Sequence, residues 1–151
     1  MLPLMARAQQ LDCPVDWLVR AAHNRCLPNS EKLWPHATEG APLGEIEFAL
    51  AARPGAKARI VRQQLWARRV ELNAGKGKVV TATCIVAREH GAPAGVKPIE
   101  WRLLTNRAAT STAEVAELID WYRARWEIEM LFNVCLLYTS DAADEEDSVD
   151  L

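Results

Sequence analysis

The sequence predicts an α+β fold, with strands in the middle of the chain and one long helix after them. Residues 58–72 are rich in β-branched and long polar residues, residues 79–89 alternate apolar with polar ones, and the turn-forming sequence N-A-G-K-G-K lies between them. This arrangement is typical of a β-hairpin. Residues 112–134 instead carry apolar residues at the helical period, which predicts a helix with one inward-facing side.

The rest of the chain predicts shorter elements. Residues 1–11 predict a short helix, residues 16–22 (D-W-L-V-R-A-A) a buried strand, and residues 99–105 (I-E-W-R-L-L-T) a further strand of the middle region. The stretch 24–44 is rich in Pro, Asn, Gly and Ser, so it is predicted to be mostly loop.

The two ends of the long helix have their own signals. Ser111 and Glu114 stand at the spacing of a capping box, which predicts a start at Thr112. The sequence Thr139-Ser140-Asp141 offers a stop, so we expect the helix to end within residues 135–138 and the remainder to be extended.

The composition is that of an ordinary soluble protein with one hydrophobic core, since 50% of the residues are hydrophobic and 25% charged. No apolar run is long enough to cross a bilayer and residues 1–10 do not resemble a secretory signal, so we expect a cytoplasmic protein. The cysteines and histidines lack the close pairing of zinc ligands, which favours buried free thiols over a metal cluster. These residues are Cys13, Cys26, Cys84, Cys135, His23, His36 and His90.

Charge is distributed unevenly along the chain. Residues 135–151 contain six acids and no Lys or Arg, whereas the rest of the chain has 18 basic and 14 acidic residues. Between Arg53 and Lys78 there are eight basic residues, with Glu71 as the single acid. Such a stretch could line the backbone of a nucleic acid, or it could be the solvated face of a β-ribbon; composition leaves both open.

Three polar residues share one side of the predicted helix. Tyr122, Arg125 and Glu129 fall within a stripe about 60° wide, which runs back through the apolar Val115 and Leu118. Buried polar groups are costly without partners, so the stripe could meet a metal or a substrate cleft. Alternatively, Arg125 and Glu129 pair with each other at i,i+4 spacing on a half-exposed surface.

The order of Tyr122, Arg125 and Glu129 resembles the Y-x-x-R-x-x-x-E signature of DDE transposases of the insertion-sequence-four family. The similarity extends over residues 1–134. Three blocks agree with that family in order and spacing: V-R-A-A-H-N-R at 19–25, P-I-E-W-R-L-L-T at 98–105 and R-W-E-I-E at 125–129.

The resemblance implies a ribonuclease-H-like fold interrupted by a β-rich insertion, with two Asp and one Glu holding two Mg²⁺ ions for DNA cleavage and strand transfer. It implies that Glu129 is the third carboxylate and a metal ligand. Tyr122 and Arg125 would hold phosphates of the transposon end, Trp101 would stack on a flipped base, and Arg20 would contact the DNA backbone. The implied partners are DNA and intact transposase subunits.

The family pattern also implies a division of the chain, and the chain departs from that pattern at both ends. Both catalytic Asp residues would precede residue 1, and Leu136 stands where the family has Lys. We therefore expect an inactive fragment of a cut-and-paste transposase or, alternatively, a non-catalytic DNA-binding or inhibitory product. The expected segments are a core remnant (1–24), the β-rich insertion (25–107), the catalytic-Glu helix (108–134) and an acidic tail resembling a translated sequencing adaptor (135–151).

Overall fold

The computed structural model describes residues 16–21 and 23–142, with side chains described through residue 132. These residues form a five-stranded antiparallel sheet and two helices, which confirms the predicted α+β class. The predicted helix of residues 1–11 lies outside the described residues. The elements are β1 (Leu18–Arg20), α1 (Leu33–Ala37), β2 (Gly44–Leu50), β3 (Arg59–Gly75), β4 (Lys78–Glu89), β5 (Glu100–Thr105) and α2 (Thr112–Ala142).

The chain divides into two compact units. The first, Met1–Ala116, contains the sheet and is called the sheet unit here; the second, Glu117–Leu151, is called the helix unit. The division falls within α2, so the start of this helix belongs to the sheet unit.

The strands of the sheet lie in the order β1-β5-β4-β3-β2, and each neighbouring pair is antiparallel. The longest pairing is the β3–β4 hairpin, which keeps one register from Gln63 opposite Glu89 to Asn73 opposite Val79 and shifts by one residue at Gly75 opposite Lys78. At its tip Gly75, Lys76 and Gly77 have φ angles of 92°, 52° and 74°. Because side chains disfavour positive φ, glycine on both sides of Lys76 makes this turn accessible.

Two elements were not predicted. Strand β2 contains the short alternating segment Glu-Ile-Glu-Phe. This segment is too short, between loop-like residues, to indicate a strand by itself. Helix α1 lies within the predicted loop 24–44, and its Pro35 is tolerated because N–H groups in a first helical turn need no helical partner. The predicted buried strand at 16–22 is shorter than expected, since β1 covers two half-buried residues and the exposed Arg20 at the sheet edge.

Both faces of the sheet carry apolar side chains. On one face, Leu33 and Ala37 of α1 belong to a buried cluster with residues of β3, β4 and β5. Side chains alternate along a strand, so the neighbouring positions Leu65, Ile85 and Leu103, all buried, lie on the other face. A sheet with two apolar faces is covered on both sides in a folded protein.

The start of α2 was predicted correctly and its end was not. The Ser111 hydroxyl accepts the backbone N–H of Glu114 at 3.2 Å, which is the N-cap bond of a capping box. The Glu114 carboxylate accepts from the Ser111 hydroxyl at 3.0 Å. However, the helix continues through residues 139–141 to Ala142. Ser, Thr and Asp inside a helix each cost only tenths of a kcal/mol. Three of them in a row therefore weaken the helix without ending it. No helix in the described part of the chain is long and apolar enough to cross a membrane.

Candidate nucleic-acid interface

The first group of candidate residues lies on α2, within the helix unit. Arg125 Nε donates to Glu129 Oε1 at 3.1 Å, and these side chains are 70% and 58% exposed. Tyr122 is half-buried, and Leu118 on the same side is buried. Along the stripe the side chains are therefore buried at Leu118, half-buried at Tyr122 and exposed at Arg125 and Glu129. Of the two arrangements that spacing allowed, the structure has the i,i+4 pair.

A surface ion pair of this kind is weak, typically below about 1 kcal/mol, because water solvates both charges. The Arg125 guanidinium can exchange the carboxylate for a phosphate at little cost, and phosphate accepts a charge-assisted hydrogen bond from arginine. Arg125 and Glu129 are therefore chemically available to a ligand although they are paired.

Within the described part of the chain, the carboxylate of Glu129 belongs to no cluster of metal-binding side chains. Among the described residues, no group of three His, Cys, Asp or Glu side chains could hold a metal ion. Two adjacent Mg²⁺ ions require several anionic oxygens at fixed positions. The described residues thus do not fit a two-ion site.

Trp101 lies on β5 in the sheet unit and is 5% exposed. Its ring stacks on Phe48 of β2, with 5.6 Å between ring centroids and 14° between planes. A flipped base needs an open aromatic face, so base stacking would require Trp101 to leave Phe48. The base-stacking role of Trp101 stays a prediction, and it requires the Trp101 ring to separate from Phe48.

Arg20 is the last residue of β1 and is exposed. Its side chain makes no hydrogen bond or ion pair with another residue of the described part of the chain. It lines a cleft of about 220 Å³, called the Arg20 cleft here, together with Ala21, Trp34, Glu100 and Arg102. A phosphate could therefore reach its guanidinium without displacing a described partner.

The arginines of the basic stretch 53–78 are largely engaged within the protein. Arg59 pairs with the buried carboxylate of Glu89, and Arg62 Nε donates to Glu47 at 2.8 Å. Arg68 donates to the Glu39 carbonyl at 3.1 Å, and Arg69 to the Thr83 hydroxyl at 3.1 Å. Carboxylates therefore compensate the charges of Arg59, Arg62 and Arg68, whereas Arg69 bonds to a neutral hydroxyl. The exposed lysines of the basic stretch are Lys57, Lys76 and Lys78.

Sequence reasoning missed the residues that surround Arg20. The Arg102 guanidinium carbon lies 3.7 Å from the centroid of the Trp34 ring, a cation–π contact. The carboxylate of Glu100 accepts from Arg102 Nη2 at 2.7 Å and from Arg88 Nε at 2.6 Å. Alternation along I-E-W-R places Glu100 and Arg102 on one strand face, so this part could have been found; Trp34 comes from the unpredicted α1.

Two cysteines are described, and both are free thiols. Cys84 is buried; burial raises the pKa of its thiol to about 12, and the nearby charge of Arg102 partly offsets the shift. Cys26 is exposed, so the expectation of burial was wrong for this residue, and its sulfur accepts from Lys32 Nζ at 3.1 Å. The side chains of Cys13 and Cys135 lie outside the described ones.

No protein-family model matches the chain, and a search of curated proteins found no match. The resemblance to DDE transposases therefore rests on the residues quoted for it.

Proposed function

We propose that this chain is a portion of a cut-and-paste DNA transposase of the DDE type, with part of a ribonuclease-H-like core and a β-rich insertion, and that it binds DNA without cleaving it on its own. The observation that carries the proposal is the helix surface where Arg125 and Glu129 are exposed beside Tyr122. Their order and spacing are those of the transposase signature, and their exposure leaves them open to a phosphate backbone.

In this proposal Arg125 and Tyr122 bind phosphates. A guanidinium forms two parallel hydrogen bonds with phosphate oxygens, and a phenol donates one more. Glu129 would be the third carboxylate of a complete transposase, where two further carboxylates would complete the metal site. With Glu129 alone, we expect no Mg²⁺-dependent nicking or strand transfer by this chain.

The test is the salt dependence of duplex DNA binding by the wild type and two matched variants. Arg125→Gln removes a proposed phosphate contact, whereas Arg123→Gln removes the same charge from another side of the helix, where Arg123 lies 3.5 Å from Asp120. The slope of log affinity against log salt should fall by about one for Arg125→Gln. It should change little for Arg123→Gln.

Equal slopes for the two variants, or no binding by folded wild type at low salt, would reject the proposed DNA contact. Incubation with Mg²⁺ and a nicked or intact duplex tests whether the chain cleaves DNA. Metal-dependent cleavage that disappears in Glu129→Gln would show that the chain is catalytic after all.

A second function is favoured by apolar side chains on the same helix. Trp121, Ile128, Leu131 and Phe132 are 48%, 53%, 62% and 61% exposed. Exposed apolar groups on one element commonly mark a protein interface. They favour an inhibitory product that associates with intact transposase subunits. Inhibition of an intact transposase of this family that is lost in Leu131→Glu would support this function; no inhibition by the wild-type chain would reject it.

A further inference from the structure

The Arg20 cleft has an excess of hydrogen-bond donors. Two of the residues that line it, Trp34 and Arg102, have buried donor atoms, Nε1 and Nε, without a hydrogen-bond partner among the described residues. A buried donor without an acceptor costs about 1–3 kcal/mol in general, so paired donors are the rule in folded proteins. Two unpaired donors on neighbouring residues indicate that an acceptor is missing from this position.

The carboxylate of Glu100, in the cleft, does not supply the missing acceptor. Its oxygens accept from Arg88 Nε and Arg102 Nη2, but not from Trp34 Nε1 or Arg102 Nε. Two guanidinium groups share this one carboxylate, and Arg20 adds a third positive charge at the same cleft. The local charge is therefore positive, and the chemistry is that of a site for an anion with several acceptor oxygens.

We propose that the Arg20 cleft binds a phosphate group, held by Arg20 and Arg102 and by the indole N–H of Trp34. The Trp34 ring holds the planar guanidinium of Arg102 in place by the cation–π contact at 3.7 Å. A preorganised guanidinium loses less conformational freedom when it binds an oxyanion. The oxygens of a phosphodiester only accept hydrogen bonds, and inorganic phosphate also offers several acceptor oxygens, so both match the unpaired donors of Trp34 and Arg102.

This inference goes beyond the resemblance, which pointed to Arg20 and to no other residue of the cleft. The phosphate could be a DNA phosphodiester or a free phosphate ion. The identification of the ligand as a DNA phosphate rests on the proposed function. The binding of a phosphate group in the cleft does not depend on that function.

The experiment titrates the full chain with inorganic phosphate at constant ionic strength and follows the indole N–H resonances by NMR. The Trp34 resonance is assigned by its absence in Trp34→Phe. It should shift on saturation, because its N–H gains a charged acceptor. The Trp66 indole, which already donates to the Gly40 carbonyl at 3.2 Å, should not shift and serves as the internal control.

Three variants test the donors. Trp34→Phe keeps an aromatic ring under Arg102 but removes the N–H, and Arg102→Gln and Arg20→Gln each remove one charge. Each should raise the dissociation constant for phosphate about tenfold, as expected for a hydrogen bond to a charged group. Arg62→Gln removes a charge outside the cleft and should leave it unchanged.

The outcomes separate this inference from the proposed function. If the cleft variants weaken both phosphate and duplex DNA binding, the ligand is a DNA phosphate. Weakened phosphate binding with unchanged DNA binding identifies a site for free phosphate. If wild type shows no Trp34 shift, or if Arg20→Gln and Trp34→Phe bind phosphate as wild type does, the inference is overturned, whatever the result for Arg125. Should Arg102→Gln fail to fold, the other two variants decide.

Discussion

Glu89 is a buried acid whose charge is balanced by one arginine. Its side chain is 2% exposed and that of its partner Arg59 is 15% exposed. Its second oxygen accepts the backbone N–H of Ile99 at 2.8 Å. Nearby, Gln63 donates to the Ile99 carbonyl at 3.3 Å. A buried ion pair with additional hydrogen bonds stabilises little compared with apolar residues, but the loss of one partner is costly.

We expect Glu89→Gln to lower the free energy of unfolding by about 2–4 kcal/mol, because the Arg59 charge would remain buried without a counter-charge. Urea unfolding followed by circular dichroism measures this value. The matched control is Glu47→Gln, since Glu47 and Arg62 form a pair with side chains 56% and 64% exposed. The control should cost at most about 0.5 kcal/mol. A similar loss of unfolding free energy in both variants would mean that burial does not determine how much Glu89 contributes to stability.

Among the elements, α2 begins at a side-chain cap that the sequence predicts. We expect Ser111→Ala to lower the free energy of unfolding by about 1 kcal/mol, because the Glu114 N–H would lose its acceptor. Thr110→Ala is the control, since Thr110 is an exposed neighbour outside the cap. Urea unfolding of both variants gives the comparison. No difference between them would mean that water replaces the Ser111 hydroxyl without loss.

Local sequence patterns predicted some of the elements and not others. The hairpin, β5 and the start of α2 could be predicted because turn residues, alternation and a cap are local signals. β2 and α1 could not, since their segments are short and flanked by Pro and Gly, and tertiary packing decides their structure. In the candidate site, spacing indicated the Arg125–Glu129 pair. It could not indicate the Arg20 cleft, because Trp34 and Arg102 meet only through the fold.

At the scale of the whole molecule, charge is separated along the chain. Residues 143–151 hold five acids and no basic residue, so their removal would change the formal net charge from −2 to +3. We expect this deletion to strengthen duplex DNA binding at low salt, since long-range repulsion of the phosphate backbone decreases. The gain should disappear at high salt because of screening. Binding measured across a salt series tests this, and an unchanged low-salt affinity would contradict it.

The pairing of β1 with β5 joins distant parts of the chain. The Thr105 hydroxyl donates to the Trp17 carbonyl, 88 residues away, at 2.7 Å. During synthesis on the ribosome, β1 would therefore emerge long before its partner. At ordinary rates of elongation the delay is on the order of ten seconds, whereas a hairpin such as β3–β4 forms in microseconds once its residues are available. For that interval β1 has no strand to pair with, and Arg20 is not yet held beside Arg102. The cleft is thus among the last features of the sheet unit to be assembled.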